Sequence, residues 1–470
     1  MQLIRKQDEA ARRETMLTGK LSRVIIVMAV PSVISMLVTS FYNLIDSFFV
    51  SQLGKDAIGA VGLAFTLDNI ISILGVSVAS GAASYISRLL GAKRNREAGE
   101  TLAVSFFTIF ALGVLIGAAG LLFLPQVMGF LGAREEGILN ESIKYATFLL
   151  IASPITSSSF VLNQSLRAEG SPIFSMFGMI IGAVINCGLC PLFVFVFGWG
   201  VAGAGAANMT SKMISFVVLM YPYVRRTSIV PLSYKYIKFR RRTMIEVGKM
   251  GLPILSQRIL TTFVSVVSNN AAADFGVSAI AAISICNRAM NFFAASLMGL
   301  GQGYQPVVGY NWGAEQYERV WKSFWFTIKA GVVAMFVVCA TVFAFSEPFI
   351  RLFSPADDEV LRIGLFAIRS QCIAMPIGAI VVTISMTLTA LGKATAAFIL
   401  GISRQGICYV PMILLLPKWF GVMGLAASAA TADVLSVFIG VPLAVVLLRT
   451  VREKLKVQRA VLSVKTTKTM

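Results

Sequence analysis

Twelve apolar runs, each long enough to cross a bilayer as a helix, dominate this chain and fix its class before any motif is weighed. They are read at 24–50, 57–87, 101–124, 139–162, 172–197, 201–222, 247–273, 277–308, 320–345, 359–390, 394–416 and 421–448. A membrane helix needs about 20 apolar residues. Lipid offers the backbone no hydrogen-bond partners, so each run has to be helical, and none shows the alternation of a barrel strand. Of the 470 residues 57% are hydrophobic and only 13% charged, with a mean hydropathy of +0.79. That is about half the charge of a soluble fold. The sequence therefore predicts an all-α integral membrane protein, with no segment left over for a separate soluble domain.

Several kinds of chemistry drop out. The chain has no histidine, which removes His-ligated metals and His-based triads. Cys187 and Cys190 form a C-x-x-C inside an apolar run, with no second pair to complete a metal site, and read as helix packing. No G-x-x-x-x-G-K-[ST] loop is present to hold nucleotide phosphates. The one run of adjacent carboxylates, Asp357-Asp358-Glu359, precedes the tenth crossing and lacks the spacing of a metal-binding transferase motif. An enzyme is not expected, nor a cofactor.

The net charge of +19 is a matter of topology. Lys and Arg in the N-terminal segment, every second loop and the C-terminal segment number 29, against six in the opposite loops. By the positive-inside rule both termini lie in the cytoplasm, and the basic side attracts anionic lipid rather than nucleic acid. The first 23 residues carry no small-residue cleavage site after them, so crossing 1 is read as retained. The cluster Arg240-Arg241-Arg242 reads as a solvated cytoplasmic linker.

An internal repeat gives the architecture. A shift of 222 residues places Pro31 on Pro253, Gly54 on Gly276, Asn69 on Asn291, Gly81 on Gly303, Pro154 on Pro376 and Gly170 on Gly392. With one residue of slack, Gly200 and Gly203 meet Gly421 and Gly424. These are residues that set backbone geometry, not the Leu and Ala that chance would favour. Six crossings per copy is an even number, so the copies are parallel six-helix repeats. The domains expected are a cytoplasmic segment 1–23, an N-lobe 24–222, a basic linker 223–246, a C-lobe 247–448 and a basic tail 449–470. Two lobes that can expose a cleft to either face in turn are what a carrier needs.

The run Gly299-Leu-Gly-Gln-Gly303-Tyr-Gln-Pro306-Val-Val-Gly309-Tyr-Asn-Trp-Gly313-Ala314 resembles the second-lobe motif of bacterial multidrug and toxic compound extrusion (MATE) transporters. Gly81-Ala-Ala-Ser-Tyr-Ile-Ser-Arg88-Leu-Leu-Gly91-Ala92, Tyr42-Asn43-Leu-Ile-Asp46 and Leu166-Arg167-Ala168-Glu169-Gly170 are similar to the first-lobe counterparts. The resemblance implies export of amphipathic, often cationic drugs in exchange for H⁺ or Na⁺. It also implies an acid on crossing 1, matched by Asp46, an asparagine on crossing 5, matched by Asn186, and a polar group on crossing 6, where Asn208 stands. A second acid expected on crossing 5 is replaced by Cys190, and the glutamate that another branch carries on crossing 7 is replaced by Gln257-Arg258.

The same residues stand out on physical grounds. An ionisable group inside a crossing costs about 2.5–3.5 kcal/mol on insertion scales and is a functional candidate by default. Asp46, Asp68 and Asp433 qualify; the long basic chains Arg258, Arg288, Arg369, Arg404, Lys212 and Lys329 can snorkel or pair. At ~1.5 Å per residue, Asp46, Asn186 and Asn208 share one depth toward the outer side. Asp46 has Ser268 as its repeat partner, so the acid is peculiar to the first half. A carboxylate in a poorly hydrated place binds and releases protons near neutrality more readily than one in water, which suits ion coupling. Asp68, Asn163, Gln257, Arg258, Arg288 and Gln302 are the expected lining of the substrate cleft. The alternative reading is a flippase for lipid-linked oligosaccharides, with Arg258 and Arg288 facing pyrophosphate. Partners are then small-molecule drugs and membrane lipids, and the chain is expected to act as a monomer in the cytoplasmic (inner) membrane.

Overall fold

The computed structural model describes residues 11–133, 135–353 and 357–468. Every regular element among them is helical. In chain order the helices are α1 (Leu21–Ser51), α2 (Lys55–Gly91), α3 (Asn95–Leu122), α4 (Leu124–Leu131), α5 (Glu136–Ala168), α6 (Pro172–Pro191) and α7 (Gly200–Val224). Then follow α8 (Arg241–Ala273), α9 (Val277–Gly313), α10 (Tyr317–Ala344), α11 (Ser346–Phe353), α12 (Asp358–Ala390), α13 (Ala394–Ile402) and α14 (Val410–Lys468). Wider π turns extend α6 over Leu192–Val196 and join α13 to α14 over Ser403–Tyr409.

Ten stretches are long and apolar enough to cross a membrane. The last, Ala394–Ala460, contains two crossings, because Gly421 breaks it with φ 58° and ψ −144°. The twelfth crossing is α7, whose apolar character is diluted by Asn208, Thr210, Ser211 and Lys212. The repeat holds at the level of element boundaries: α2, α3, α4 and α5 recur as α9, α10, α11 and α12 at a constant offset of 222 residues. It holds even where the residues differ, since Lys93 and Glu315 both adopt a left-handed turn (φ 63° and 59°) that L-residues rarely take. The eight-residue helices α4 and α11 are new. The sequence reading ends crossing 3 in the first and leaves the second in a loop. Asp357, rather than starting a metal motif, caps α12: its Oδ1 accepts from the Glu359 and Val360 N–H groups, both at 3.0 Å, as an N-cap acid should.

Contacts divide the chain into two compact units. Of the described residues, one unit comprises 11–14 with those of 30–251, the other 15–29 with those from 252 to 468. The first turns of α1, up to Ala29, thus belong with the second unit, and the first turns of α8, up to Gly251, with the first. Glycine permits both approaches. A β-carbon at Gly81 would collide with the Val247 carbonyl, and one at Gly303 with the Ala29 backbone.

The connection after α7 is less solvated than its charge suggests. Glu169, fully buried at the end of α5, accepts through Oε2 from Ser228 Oγ (2.6 Å), Ile229 N (3.0 Å) and Val230 N (3.2 Å), with the Arg12 guanidinium 3.9 Å from Oε1. Arg240 pairs with Glu100 at 3.0 Å and Glu246 with Arg88 at 3.2 Å. Buried carboxylates recruit donors from the chain nearest them, and here that chain is the linker. Burial pushes the Glu169 carboxyl above its ordinary value; the Ser228, Val230, Arg12 and Ile229 interactions oppose this and do not cancel it. The folded chain therefore holds this proton more tightly than the unfolded one. The contribution to stability is complete below pH 4.5, the ordinary value, and is lost as pH rises through the folded value. Glu169→Gln should flatten that slope. The melting temperature of the wild type relative to the variant is expected to fall steadily from pH 4.5 upward, and parallel curves would contradict the assignment.

Candidate functional site

Five helices of the first unit bring polar groups into one apolar core. Val61, Ala64, Leu67 and Ile71 of α2, Tyr145, Ala146 and Leu149 of α5, Cys190 of α6, and Val201, Ala204 and Ala207 of α7 belong to a single buried cluster. Into it α1 sends Asp46, 1% exposed; Asn186 (1%) and Asn208 (2%) are buried alongside. Asn208 donates through Nδ2 to Tyr42 Oη at 2.8 Å, which ties α7 to α1. The Cys190 thiol approaches the Asp46 carboxylate, and the charges that act on it are those of Lys212 and Asp68. Tyr42 and Tyr145 both lie within range of the Asp46 charge. Asn186 sits one turn before Cys190 on the same face of α6.

Asp46 differs from the other two intramembrane aspartates in what surrounds it. Asp68 accepts from Lys212 Nζ at 2.7 Å, an ion pair between α2 and α7. Asp433 is paired with Arg404 and accepts from Gln371 Nε2 at 2.7 Å. Neither oxygen of Asp46 accepts a well-aligned hydrogen bond from the described residues. Asn208 Oδ1, Asn186 Nδ2 and the Tyr145 hydroxyl are likewise without partners among them. Asp46, Asn186, Asn208 and Tyr145 thus each keep unused polar capacity while buried in the first unit. Buried polar groups are ordinarily satisfied, so such a concentration marks a place built to hold something else.

The expected site residues separate accordingly. Asp46, Asn186 and Asn208 lie in the cluster just described, and Asp68 borders it through Lys212. Asn163 does not line a cleft: its Oδ1 accepts from Arg167 Nη2 at 2.6 Å and its Nδ2 donates to the Ser175 carbonyl at 3.2 Å. The buried Arg167 cation needs that acceptor, so Asn163 serves the end of α5. Gln257 and Gln302 are half-buried on α8 and α9, and Arg258 and Arg288 are exposed on the same two helices. All four belong to the second unit. Of Tyr42, Tyr145 and Lys212, the sequence reading quotes Tyr42 within a motif and names Lys212 as a basic chain able to snorkel or pair, but gives none of the three a place in the site. Two of them carried a signal: Tyr42 and Lys212 stand four residues from Asp46 and Asn208, and residues so spaced share a helix face.

The repeats treat equivalent places differently. Twelve residues after the paired glycines Gly200 and Gly421 come Lys212 and Asp433. Each is in an ion pair, with the sign reversed. Position 268, matching Asp46, is serine.

Helices of this length and apolarity, occurring as two repeats, define a multi-pass membrane protein, and the family match makes it a transporter rather than an enzyme. The MatE family model matches residues 31–192 and again 253–415, two copies whose starts are one repeat apart. The chain belongs to the MatE family. It is 27% identical over 437 residues to the multidrug export protein MepA of Staphylococcus saprophyticus, covering 92% of this chain and 94% of that one. With MepA of Staphylococcus aureus strain MSSA476 it shares 28% over 407 residues, 86% and 89% of the two chains. Among solved structures, a MOP superfamily transporter from Pyrococcus furiosus superposes with a TM-score of 0.88 at 22% identity, covering 93% of this chain and 98% of that one. The Vibrio cholerae MATE transporter VcmN gives 0.86 at 21%, covering 92% and 98%. The fold has twelve crossings in two repeats.

Proposed function

We infer that this protein is a multidrug exporter that exchanges amphipathic, cationic organic cargo for an inorganic cation, H⁺ or Na⁺. The observation that carries this is the setting of Asp46: of three intramembrane aspartates, it is the one with neither an ion pair nor a well-aligned hydrogen bond among the described residues, only the Cys190 thiol and the more distant Lys212 charge acting on it. An uncompensated charge in such a place is costly, so the site favours a bound cation or proton. Protonation requires only the Asp46 carboxylate. Sodium would require several hard oxygens, and Asn208 Oδ1 is the further acceptor with free capacity. Cys190, where a second acid would supply more, offers a sulfur that suits Na⁺ poorly. Ion and cargo then stabilise different states of the carrier, which is the condition for exchange. MepA relatives bearing the name multidrug export protein support the cargo class. The distribution of 29 basic residues against six supports cytoplasmic termini in the inner membrane. Neither a cofactor nor a second subunit is required.

The test is efflux of a fluorescent lipophilic cation from proteoliposomes under an imposed pH or Na⁺ gradient. Transport should follow one of the two gradients. Transport indifferent to both, or translocation of lipid-linked sugar in its place, would overturn the reading.

A further inference from the structure

A second site lies at the opposite end of the first unit, where the sequence places only a charged linker. A cavity of about 490 Å³ opens between the start of α3 and the segment 229–238. Arg96, Lys235 and Lys238 line it with their positive side chains, and Tyr236 adds a hydroxyl. Glu100, 1% exposed, forms part of its wall. That carboxylate is charge-paired with Arg240 (3.0 Å) and Arg96 (3.5 Å), yet neither oxygen accepts a well-aligned hydrogen bond from the described residues. Counting Arg240, four cations surround one anion. The helix behind them, α3, begins without a side-chain cap, leaving the positive end of its dipole toward this region.

We propose that this cavity binds the headgroup of an acidic phospholipid, its phosphate held by Arg96, Lys235 and Lys238 and a headgroup hydroxyl donated to Glu100. Charge selects the phosphate, and the buried acceptor selects a headgroup with a donor. The flanking sequence selects lipid over a soluble anion. Tyr234 and Phe239 are exposed beside Lys235 and Lys238, so the run Tyr234-Lys-Tyr-Ile-Lys-Phe-Arg240 interleaves aromatic and basic side chains immediately before α8 enters the bilayer. Aromatic rings settle at headgroup level, and basic residues there meet the negative surface of the leaflet. The linker is thereby anchored to the membrane as well as to Glu169. This site is independent of Asp46 and of what the protein exports.

The full-length protein, purified in detergent with a defined mixture of phosphatidylglycerol and phosphatidylcholine, is examined by native mass spectrometry for retained lipid. The wild type should retain phosphatidylglycerol selectively. The combined change Arg96→Gln, Lys235→Gln, Lys238→Gln should weaken that retention by roughly 10–100-fold. A charge-matched control in the exposed tail, Arg449→Gln, Arg452→Gln, Lys456→Gln, should leave it intact. All six positions are exposed, and elution as a monodisperse peak verifies that each variant is folded. Equal retention by the wild type and the cavity variant overturns the proposal, as does equal loss in the tail control. Displacement of the lipid by inorganic phosphate would show a soluble-anion site and overturn it too.

Discussion

Asparagine at position 46 is expected to reduce gradient-driven export by at least about tenfold, within the roughly 5–150-fold range of typical coupling free energies, without loss of folded protein. The two halves of this expectation have separate physical causes. Asparagine preserves the shape of the side chain and removes a charge that burial penalises, so the variant should melt at or above the wild-type temperature. The Asn208–Tyr42 contact at 2.8 Å does not involve the carboxylate and should persist. What disappears is the one group in the cluster able to alternate between a proton or cation and a cationic cargo. Asp68→Asn is the instructive comparison. It unpairs Lys212, so it should cost stability, but it leaves the isolated acid in place and should retain gradient dependence. Drug export by Asp46→Asn at the wild-type rate would contradict the assignment.

Arg404→Met is expected to destabilise the second unit. Asp433 is 3% exposed, and the guanidinium is its cationic partner among the described residues, with Gln371 as neutral donor. Removing the cation strands a buried carboxylate, at a cost below the roughly 3–5 kcal/mol of a fully buried pair, because the Arg404 side chain is 40% exposed and its charge is partly screened. Adding Asp433→Asn should recover most of that loss, because a buried pair replaced by neutral groups is close to neutral. Thermal unfolding in detergent checks the order: the single variant lowest, the double variant and wild type close together. A single variant as stable as the wild type would mean that the pair contributes nothing. Transport by the double variant should survive, since these residues lie outside the Asp46 cluster.

The difference between these two sites explains what could be read from sequence. The repeat was legible because its markers, such as Gly81 and Gly303, are residues whose replacement would force backbones apart. Helix boundaries follow the same register, including those of α4 and α11, which hydropathy alone leaves in the loops after crossings 3 and 9. Depth counting placed Asp46 and Asn208 at one level, and the Asn208–Tyr42 hydrogen bond at 2.8 Å joins their helices. Tyr42 and Lys212 were also within reach, each four residues from a residue already chosen. Tyr145 was not, since a tyrosine in an apolar run is indistinguishable from packing until its neighbours are known. Nor could sequence decide which aspartates are paired. Asp68 and Lys212 are 144 residues apart and Asp433 and Arg404 are 29 apart, and only tertiary contact joins them. Asn163 is the opposite case: its partner is the cation one turn along its own helix, a local spacing that the sequence did offer.

The most direct test of the central claim is equilibrium binding of a fluorescent lipophilic cation to the purified protein, titrated against pH and against Na⁺, for the wild type and Asp46→Asn. If one carboxylate serves both ligands, acidification or added Na⁺ must weaken cargo binding to the wild type, and the asparagine variant must bind with an affinity that neither changes. Wild-type binding insensitive to both ions, or an equal sensitivity in the variant, would show that cargo and ion do not share Asp46.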